Sequence, residues 1–146
     1  MKTVILLQCC KSKLSHRDTV VNIYISPLYK KSLKYAQILD RQAIHVLSAK
    51  HGLLDLDTII DPYNVSLHLM TIKQRKIWAE DVLSSLNKKY DLEKDKFIFL
   101  TGHLYREFLT PSMTYYEIPL QGLSIGRVFQ RLNKMILNDK KGFGFL

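Results

Sequence analysis

Cysteine is scarce in this chain of 146 residues, which contains two, Cys9 and Cys10, adjacent in the sequence. Adjacent cysteines do not join distant elements of a fold, so a disulfide framework is excluded. There is no Cys-x-x-Cys pair, and the five histidines show no metal-ligand spacing. We therefore expect reduced thiols, no metal site and no other cofactor.

Long apolar runs are also missing. A membrane-spanning helix takes about 20 apolar residues, and no run in this sequence approaches that length. The first seven residues resemble the start of a signal peptide, but the apolar stretch ends at Gln8 and no small-residue cleavage site follows. The sequence therefore predicts a cytoplasmic protein without a membrane partner.

Acidic residues are outnumbered by basic ones, with 13 Asp and Glu against 22 Lys and Arg, for a net charge of +9. The basic residues concentrate in residues 1–41 and in the last predicted helix, which carries Arg127, Arg131 and Lys134. This excess favours a polyanionic or phosphorylated partner. The alternative is a basic surface that serves only solubility.

Short apolar runs alternate with longer patterns of helical period. The runs predict strands at residues 3–7, 43–47, 97–100 and 115–120, and the helical patterns predict helices at 27–40, 71–86, 104–109 and 124–138. Ser26 and Pro27 are typical of a helix start, with serine at the cap. The order predicts an α/β fold: one three-layer domain over residues 1–146, with a mostly parallel sheet of four to five strands and helices on both faces.

Ligands of such sheets bind beyond the carboxyl ends of the strands. Four predicted loops lie there, at residues 8–13, 48–52, 101–106 and 121–126, and all are polar or contain glycine. We therefore expect these loops to meet in one site.

The first and third loops carry groups suited to an anion. Gln8, Cys9, Lys11 and Lys13 follow the first strand, and lysines there can hold a phosphate or carboxylate. The third loop offers backbone N–H groups at Gly102 and a bidentate donor at Arg106. Cys9 would need a base such as His51 or His103 to act as a nucleophile, and buried packing is the alternative.

The second and fourth loops combine polar side chains with glycine. Ser48, Lys50 and His51 precede Gly52, which we expect to adopt a positive φ angle or to allow a close approach of the backbone. Lys50 is a candidate anion contact or a surface lysine, and His51 is a candidate acid or base or an exposed loop residue. The fourth loop matches neither the dinucleotide nor the Walker pattern. It contributes Gly122 as a candidate contact, whereas Gly126 is predicted to allow close packing of the last helix on the sheet.

Residues 61–64 place a carboxylate beside an aromatic ring. The carboxylate of Asp61 can stabilise an oxocarbenium-like sugar, and Tyr63 can stack on a base, with Asn64 following. The alternative is an ordinary Asp-Pro turn with Tyr63 in the core. Tyr24 and Ser26 open the first helix and could face the same ligand, or serve as a buried ring and a helix cap.

These motifs together resemble a known family. The segments that carry the resemblance are Cys9-x-Lys-x-Lys13, Tyr24-x-Ser-Pro-Leu-Tyr29, Leu47-Ser-Ala-Lys-His-Gly-Leu-Leu54, Asp61-Pro-Tyr-Asn64 and Pro119-Leu-Gln-Gly-Leu-Ser-Ile-Gly126. They resemble a small bacterial and phage domain family of unknown function, DUF6884. The chain is also similar to YaaA-like proteins, to uracil-DNA-glycosylase-like folds and, in residues 23–28, to nucleoside deoxyribosyltransferases. These resemblances imply chemistry on nucleotides or nucleic acid.

The first functional hypothesis is an enzyme, a glycosidase-type hydrolase or transferase, acting on an N-glycosidic bond of a nucleotide, nucleoside or DNA base. Asp61 is its predicted catalytic carboxylate, with His51 as second catalytic candidate. The predicted substrate contacts are Gln8, Cys9, Lys11, Lys13, Tyr24, Ser26, Ser48, Lys50, Tyr63, Asn64, Gly102, Arg106 and Gly122. Two alternatives stay open: a non-catalytic nucleic-acid-binding protein using the basic helices, and a sensor that binds a nucleotide unchanged.

Overall fold

The computed structural model describes residues 1–39 and 43–144, with side chains as far as residue 138. The fold is α/β, as the sequence predicts. A five-stranded sheet has the order β4-β3-β1-β6-β7, formed by β1 (Thr3–Gln8), β3 (Ile44–Ser48), β4 (Gly52–Asp55), β6 (Lys96–Leu100) and β7 (Tyr115–Glu117). A two-stranded sheet pairs β2 (Asp18–Thr19) with β5 (Ile59–Ile60).

The central strand β1 lies between two parallel neighbours. Leu7 pairs with Val46 of β3 on one side and with Leu100 of β6 on the other. The strand is a continuous apolar run because both of its faces are covered, and residues 4–7 have no solvent exposure. The prediction of a mostly parallel sheet is therefore confirmed.

Strand β4 is a feature that the sequence patterns did not predict. It pairs antiparallel with β3, and Ser48 lies opposite Gly52 at the turn. Gly52 has a φ of 71°, so its expected positive φ is confirmed, and this turn sends the chain straight back along β3. The second predicted loop is thus the tip of a hairpin.

Helices cover the sheet and have well-defined starts. The helices are α1 (Val20–Ile23), α2 (Pro27–Leu39), α3 (Ile72–Asn87) and α4 (Ile125–Gly144). Ser26 caps α2 by accepting a hydrogen bond from the Tyr29 N–H, and Thr71 and Gln74 form a capping box on α3. The predicted end of α2 at Asp40 lies outside the described residues.

Three sequence expectations differ from the observed elements. Residues 104–109 form no regular α-helix: the chain here has two short 3₁₀ segments, His103–Tyr105, which ends at Arg106, and Thr110–Ser112, which contains Pro111. Strand β7 ends at Glu117, before the turn at residues 119–122. A Cβ atom at Gly126 would meet no atom within 4 Å, so close helix–sheet packing there is wrong: this glycine is on the exposed side of α4.

Candidate functional site

A cavity lies at the carboxyl ends of β1 and β6. Strand β1 connects through α2 to β3 on one side, and the chain later returns to β6 on its other side. The cavity is therefore at the reversal of strand order, the usual ligand position in such sheets. Its volume is about 900 Å³, which is within the range of small-molecule sites.

The cavity brings together three of the four predicted loops. Of the predicted contacts, it is lined by Gln8, Cys9, Lys11, Lys13, Ser26, Asn64, Gly102, Arg106 and Gly122. The loop at residues 48–52, which is the turn between β3 and β4, is absent from this lining. The expected meeting of all four loops is therefore wrong for this one.

The described charged side chains of the lining are all basic. The lining contains the basic residues Lys11, Lys13 and Arg106, together with His68 and His103. Within the part of the chain that the structure describes, neither an aspartate nor a glutamate lines it. A concave surface with several cations and no carboxylate concentrates a positive potential and favours an anionic ligand.

Arg106 is the most unusual of these cations. It is only 9% exposed, and one guanidinium N–H donates to the Thr101 carbonyl oxygen at 2.7 Å. No carboxylate lies within salt-bridge distance of it among the residues described. Burial therefore lowers the pKa of Arg106 without a compensating charge. A buried cation facing a cavity is costly unless an anion enters that cavity.

Gln8 links the ends of the two central strands. Its side-chain Oε1 accepts a hydrogen bond from the Gly102 N–H at 2.6 Å. This bond commits the oxygen of the amide to the backbone and leaves the NH₂ group as the donor available to a ligand. Gln8 is therefore suited to a hydrogen-bond acceptor, such as a carbonyl oxygen or ring nitrogen.

Lys13 is held by an aromatic ring. Its Nζ lies 4.2 Å from the centroid of the Tyr63 ring, a cation–π contact. Burial lowers the pKa of Lys13, an effect that the neighbouring Cys9 and Cys10 oppose. Tyr63 thus lies behind Lys13 and does not itself line the cavity.

Three hydroxyl groups form a chain behind Lys13. The Ser48 hydroxyl donates to the Tyr63 oxygen at 2.7 Å, and the Tyr63 and Tyr24 oxygens are 2.6 Å apart. The Ser48 oxygen in turn accepts from the backbone N–H of His51 at 3.0 Å. Burial raises the pKa of both tyrosines, so they stay protonated and act as fixed hydrogen-bonding groups. Tyr24 and Ser48 therefore anchor the loop that contains Tyr63.

Asp61 lies outside the cavity lining. Its carboxylate accepts two hydrogen bonds from Arg17, at 3.0 and 3.1 Å, and its side chain is 65% exposed. The hydrogen bond from Arg17 lowers the pKa of Asp61, with a smaller effect from Lys50. The structure thus places Asp61 in an exposed ion pair, apart from the cationic cavity.

His51 and Lys50 also lie outside the lining. The His51 ring packs edge-on against Tyr63 with centroids 5.3 Å apart, and burial lowers its pKa, with a further effect from Lys50. Lys50 is exposed on the hairpin tip. His51 therefore contacts Tyr63, and neither residue reaches the cavity lining.

An apolar wall was missed by the sequence analysis. It consists of Leu28, Val65, Leu69, Leu120, Leu123, Ile125 and Val128, which all line the cavity. Leu69 is 86% exposed and Ile125 is 64% exposed, so both side chains are accessible to a ligand in the cavity. Leu69 ends a short 3₁₀ segment, Leu67–Leu69, and Ile125 begins α4, so neither position carries a periodic signal. The cavity lining therefore combines basic side chains with apolar ones.

The cysteines lie at the base of the cavity. Cys9 is buried, and its Sγ is 3.4 Å from the Tyr105 hydroxyl oxygen. The Sγ of Cys10 donates to the Ser12 carbonyl oxygen at 3.1 Å. Within residues 1–39 and 43–138 there is no cluster of three or more metal-ligating side chains, and no described helix is long and apolar enough to span a bilayer.

One family model matches nearly the whole chain. No curated protein and no solved structure matches the sequence. The sequence model of the DUF6884 family, a family of unknown function, matches residues 4–134 and so includes every cavity residue named above. The chain therefore belongs to the DUF6884 family.

Proposed function

We propose that this protein is directed at a nucleotide or nucleic acid and that the cavity binds a nucleotide through its phosphate. The observation that carries the proposal is Arg106, a buried guanidinium without a carboxylate partner among the described residues, facing a cavity with two further cations. A phosphate provides the missing counter-charge and accepts paired hydrogen bonds from the guanidinium fork.

The rest of the cavity suits the remainder of a nucleotide. The apolar wall around Val65, Leu69 and Ile125 offers a surface for a base, and the Gln8 amide offers a donor to its edge. The volume of about 900 Å³ accommodates a ligand of that size. An inorganic phosphate alone would leave the apolar wall exposed, so a ligand that joins a phosphate to an aromatic group fits better.

The specific reaction stays a prediction. Cleavage or exchange at an N-glycosidic bond needs a group that stabilises a cationic sugar, and the sequence assigns that role to Asp61. The ion pair with Arg17 and the position outside the lining support a binding site without this carboxylate. The same observations suit both non-catalytic alternatives, the nucleic-acid-binding protein and the nucleotide sensor.

Thermal unfolding in the presence of ligands tests this proposal. A ligand that binds only the folded state stabilises the protein by about 2.7 kcal/mol when its free concentration is about 100 times its Kd. We expect 5′-mononucleotides to raise the Tm of the wild type and to raise the Tm of Lys11→Gln by less. Lys73→Gln, an exposed lysine of α3 outside the lining, is the matched control. If no nucleotide raises the Tm, the proposal is wrong.

A further inference from the structure

Helices α2 and α4 present a basic surface next to the cavity. They pack against each other, and the Lys31 Nζ donates to the Asn133 side-chain oxygen at 2.6 Å. Their described side chains include no aspartate or glutamate. We call the cations on these two helices the α2–α4 basic surface; they are Lys30, Lys31, Lys34, Arg127, Arg131 and Lys134.

The charges of this surface are not neutralised within the described part of the chain. None of the six cations is in an ion pair with a described carboxylate, and Arg131 donates to the carbonyl oxygen of Pro119. Lys30 and Lys34, like Arg127 and Arg131, are four residues apart on one helix, where like charges repel. This arrangement destabilises the helices, and a bound polyanion would relieve it.

The surface is continuous with the cavity. Leu28 and Ser32 of α2 line the cavity, as do Ile125 and Val128 of α4. Both helices therefore begin at the cavity rim, and their first turns carry no acidic residue. Lys30 and Arg127 lie close to these starts, so phosphates adjacent to a nucleotide in the cavity would reach them first.

We propose that the nucleotide in the cavity is one unit of a single-stranded nucleic acid whose flanking phosphates bind the α2–α4 basic surface. This inference rests on the proposed function and adds the class of substrate. A base within a duplex is stacked and paired, so it cannot enter a cavity without being extruded, whereas a single strand delivers it directly. Continuity with the cavity favours nucleic acid over an acidic peptide or a membrane.

Fluorescence anisotropy with a labelled DNA strand of about 12 nucleotides tests the inference. The test variant is Lys30→Gln with Lys34→Gln and Arg127→Gln. The matched control removes the same charge elsewhere, as Lys73→Gln with Lys88→Gln and Lys94→Gln, all exposed and outside the cavity. For a single strand, the slope of log affinity against log salt becomes shallower by about 0.7 for each phosphate that the protein no longer neutralises.

We expect this slope to be shallower by about 2 in the test variant and the affinity for the strand to fall at least about tenfold, while the control changes little. The affinity of the test variant for a mononucleotide should equal that of the wild type, because none of the three residues lines the cavity. Equal effects in both variants, or a strand bound no more tightly than a mononucleotide, would overturn the inference and leave the proposed function standing.

A different result identifies failure of the proposed function. If the wild type binds the strand, binds no mononucleotide, and Arg106→Met binds the strand as tightly as the wild type, the cavity has no part in binding. The proposed function would then be wrong, and the inference that depends on it would fall with it.

Discussion

The side-chain oxygen of Gln8 accepts a hydrogen bond from the backbone N–H of Gly102 at 2.6 Å, joining the ends of the two central strands at the cavity. The two residues are 94 positions apart in the sequence. The bond fixes which end of the Gln8 amide a ligand meets. It also makes the glycine at position 102 important, since an added Cβ would lie 3.2 Å from the Gln8 oxygen.

Gly102→Ala is the first prediction. The φ of Gly102 is −75°, which alanine adopts without strain, so the variant should fold normally. The new methyl group should displace the Gln8 amide and weaken nucleotide binding by about tenfold, a loss of roughly 1.4 kcal/mol. Calorimetric titration measures the loss, and Gly126→Ala, at an exposed glycine of α4 with open space around it, is the control. Unchanged affinity in Gly102→Ala would show that the position of the Gln8 amide is unimportant for binding.

The second prediction concerns the hydroxyl chain. Tyr63→Phe removes the group that accepts from Ser48 and pairs with Tyr24, so two buried hydroxyls lose a partner and the free energy of unfolding should fall by about 1–3 kcal/mol. The phenyl ring still packs against Lys13, so nucleotide affinity should hardly change. Tyr63→Leu removes the ring as well and should weaken binding. Urea denaturation and ligand titration of both variants measure these effects. If the two variants bind nucleotide equally weakly, the cation–π contact contributes nothing.

Asp61→Asn tests whether Asp61 is the predicted catalytic carboxylate or serves only in the observed ion pair with Arg17. The partners Arg17 and Asp61 are both exposed, so the variant should leave the stability almost unchanged. Nucleotide binding should also persist, because Asp61 does not line the cavity. Mass spectrometry of nucleotides and DNA incubated with each protein tests the reaction. A base released by the wild type and not by Asp61→Asn would establish the N-glycosidic reaction and contradict the placement of Asp61 outside the working site.

The fourth prediction is a dependence of stability on pH through His45. Its Nδ1 is 2.8 Å from the Asp55 carboxylate and its Nε2 is 2.6 Å from the Tyr90 hydroxyl oxygen. A neutral ring accepts a hydrogen bond from Tyr90 at Nε2 and directs its Nδ1 proton towards Asp55, where the contact is too poorly aligned to be a hydrogen bond. Burial lowers the pKa of His45, although Asp55 opposes this effect.

The unfolded state therefore binds a proton at His45 more readily than the folded state. The stability contributed by the neutral ring is complete above the unfolded pKa of about 6.5 and is lost as the pH falls towards the lower folded pKa. Urea denaturation between about pH 7.5 and 5.5 should show declining stability. The decline should be smaller in His45→Gln, whereas His16→Gln, at an exposed position, should behave as the wild type does. Equal declines in all three proteins would refute the assignment.

The fold could be predicted from the sequence where one local signal sufficed. The buried strands around Leu7 and Phe99 are unbroken apolar runs, and the start of α2 has a serine cap followed by proline. Strand β4 was missed because the glycine at position 52 marks a turn without showing whether the chain then pairs back or continues. That choice depends on contacts with β3, which no local pattern records.

The candidate site could be predicted in part for the same reason. The rule for parallel sheets selected Gln8, Gly102 and Arg106, and the structure places all three in the lining of the cavity, since the rule depends only on the order of strands. It could not show that Asp61 would meet Arg17, a partner 44 residues away, or that Arg106 would be buried without a carboxylate partner among the described residues. Long-range pairings of charges are set by the tertiary structure and leave no spacing in the sequence.

The central claim is that the buried Arg106 binds the phosphate of a nucleotide. Calorimetric titration of the wild type and Arg106→Met with AMP, GMP, CMP and UMP, and with the matching nucleosides, tests it most directly. Arg106→Met should fold with a stability within about 1 kcal/mol of the wild type, because the missing hydrogen bond is offset by removal of an uncompensated buried charge. We predict that at least one nucleotide binds the wild type at least about tenfold more tightly than its nucleoside, and that this preference disappears in Arg106→Met. A nucleoside bound as tightly as its nucleotide, or a preference that survives in Arg106→Met, would contradict the account.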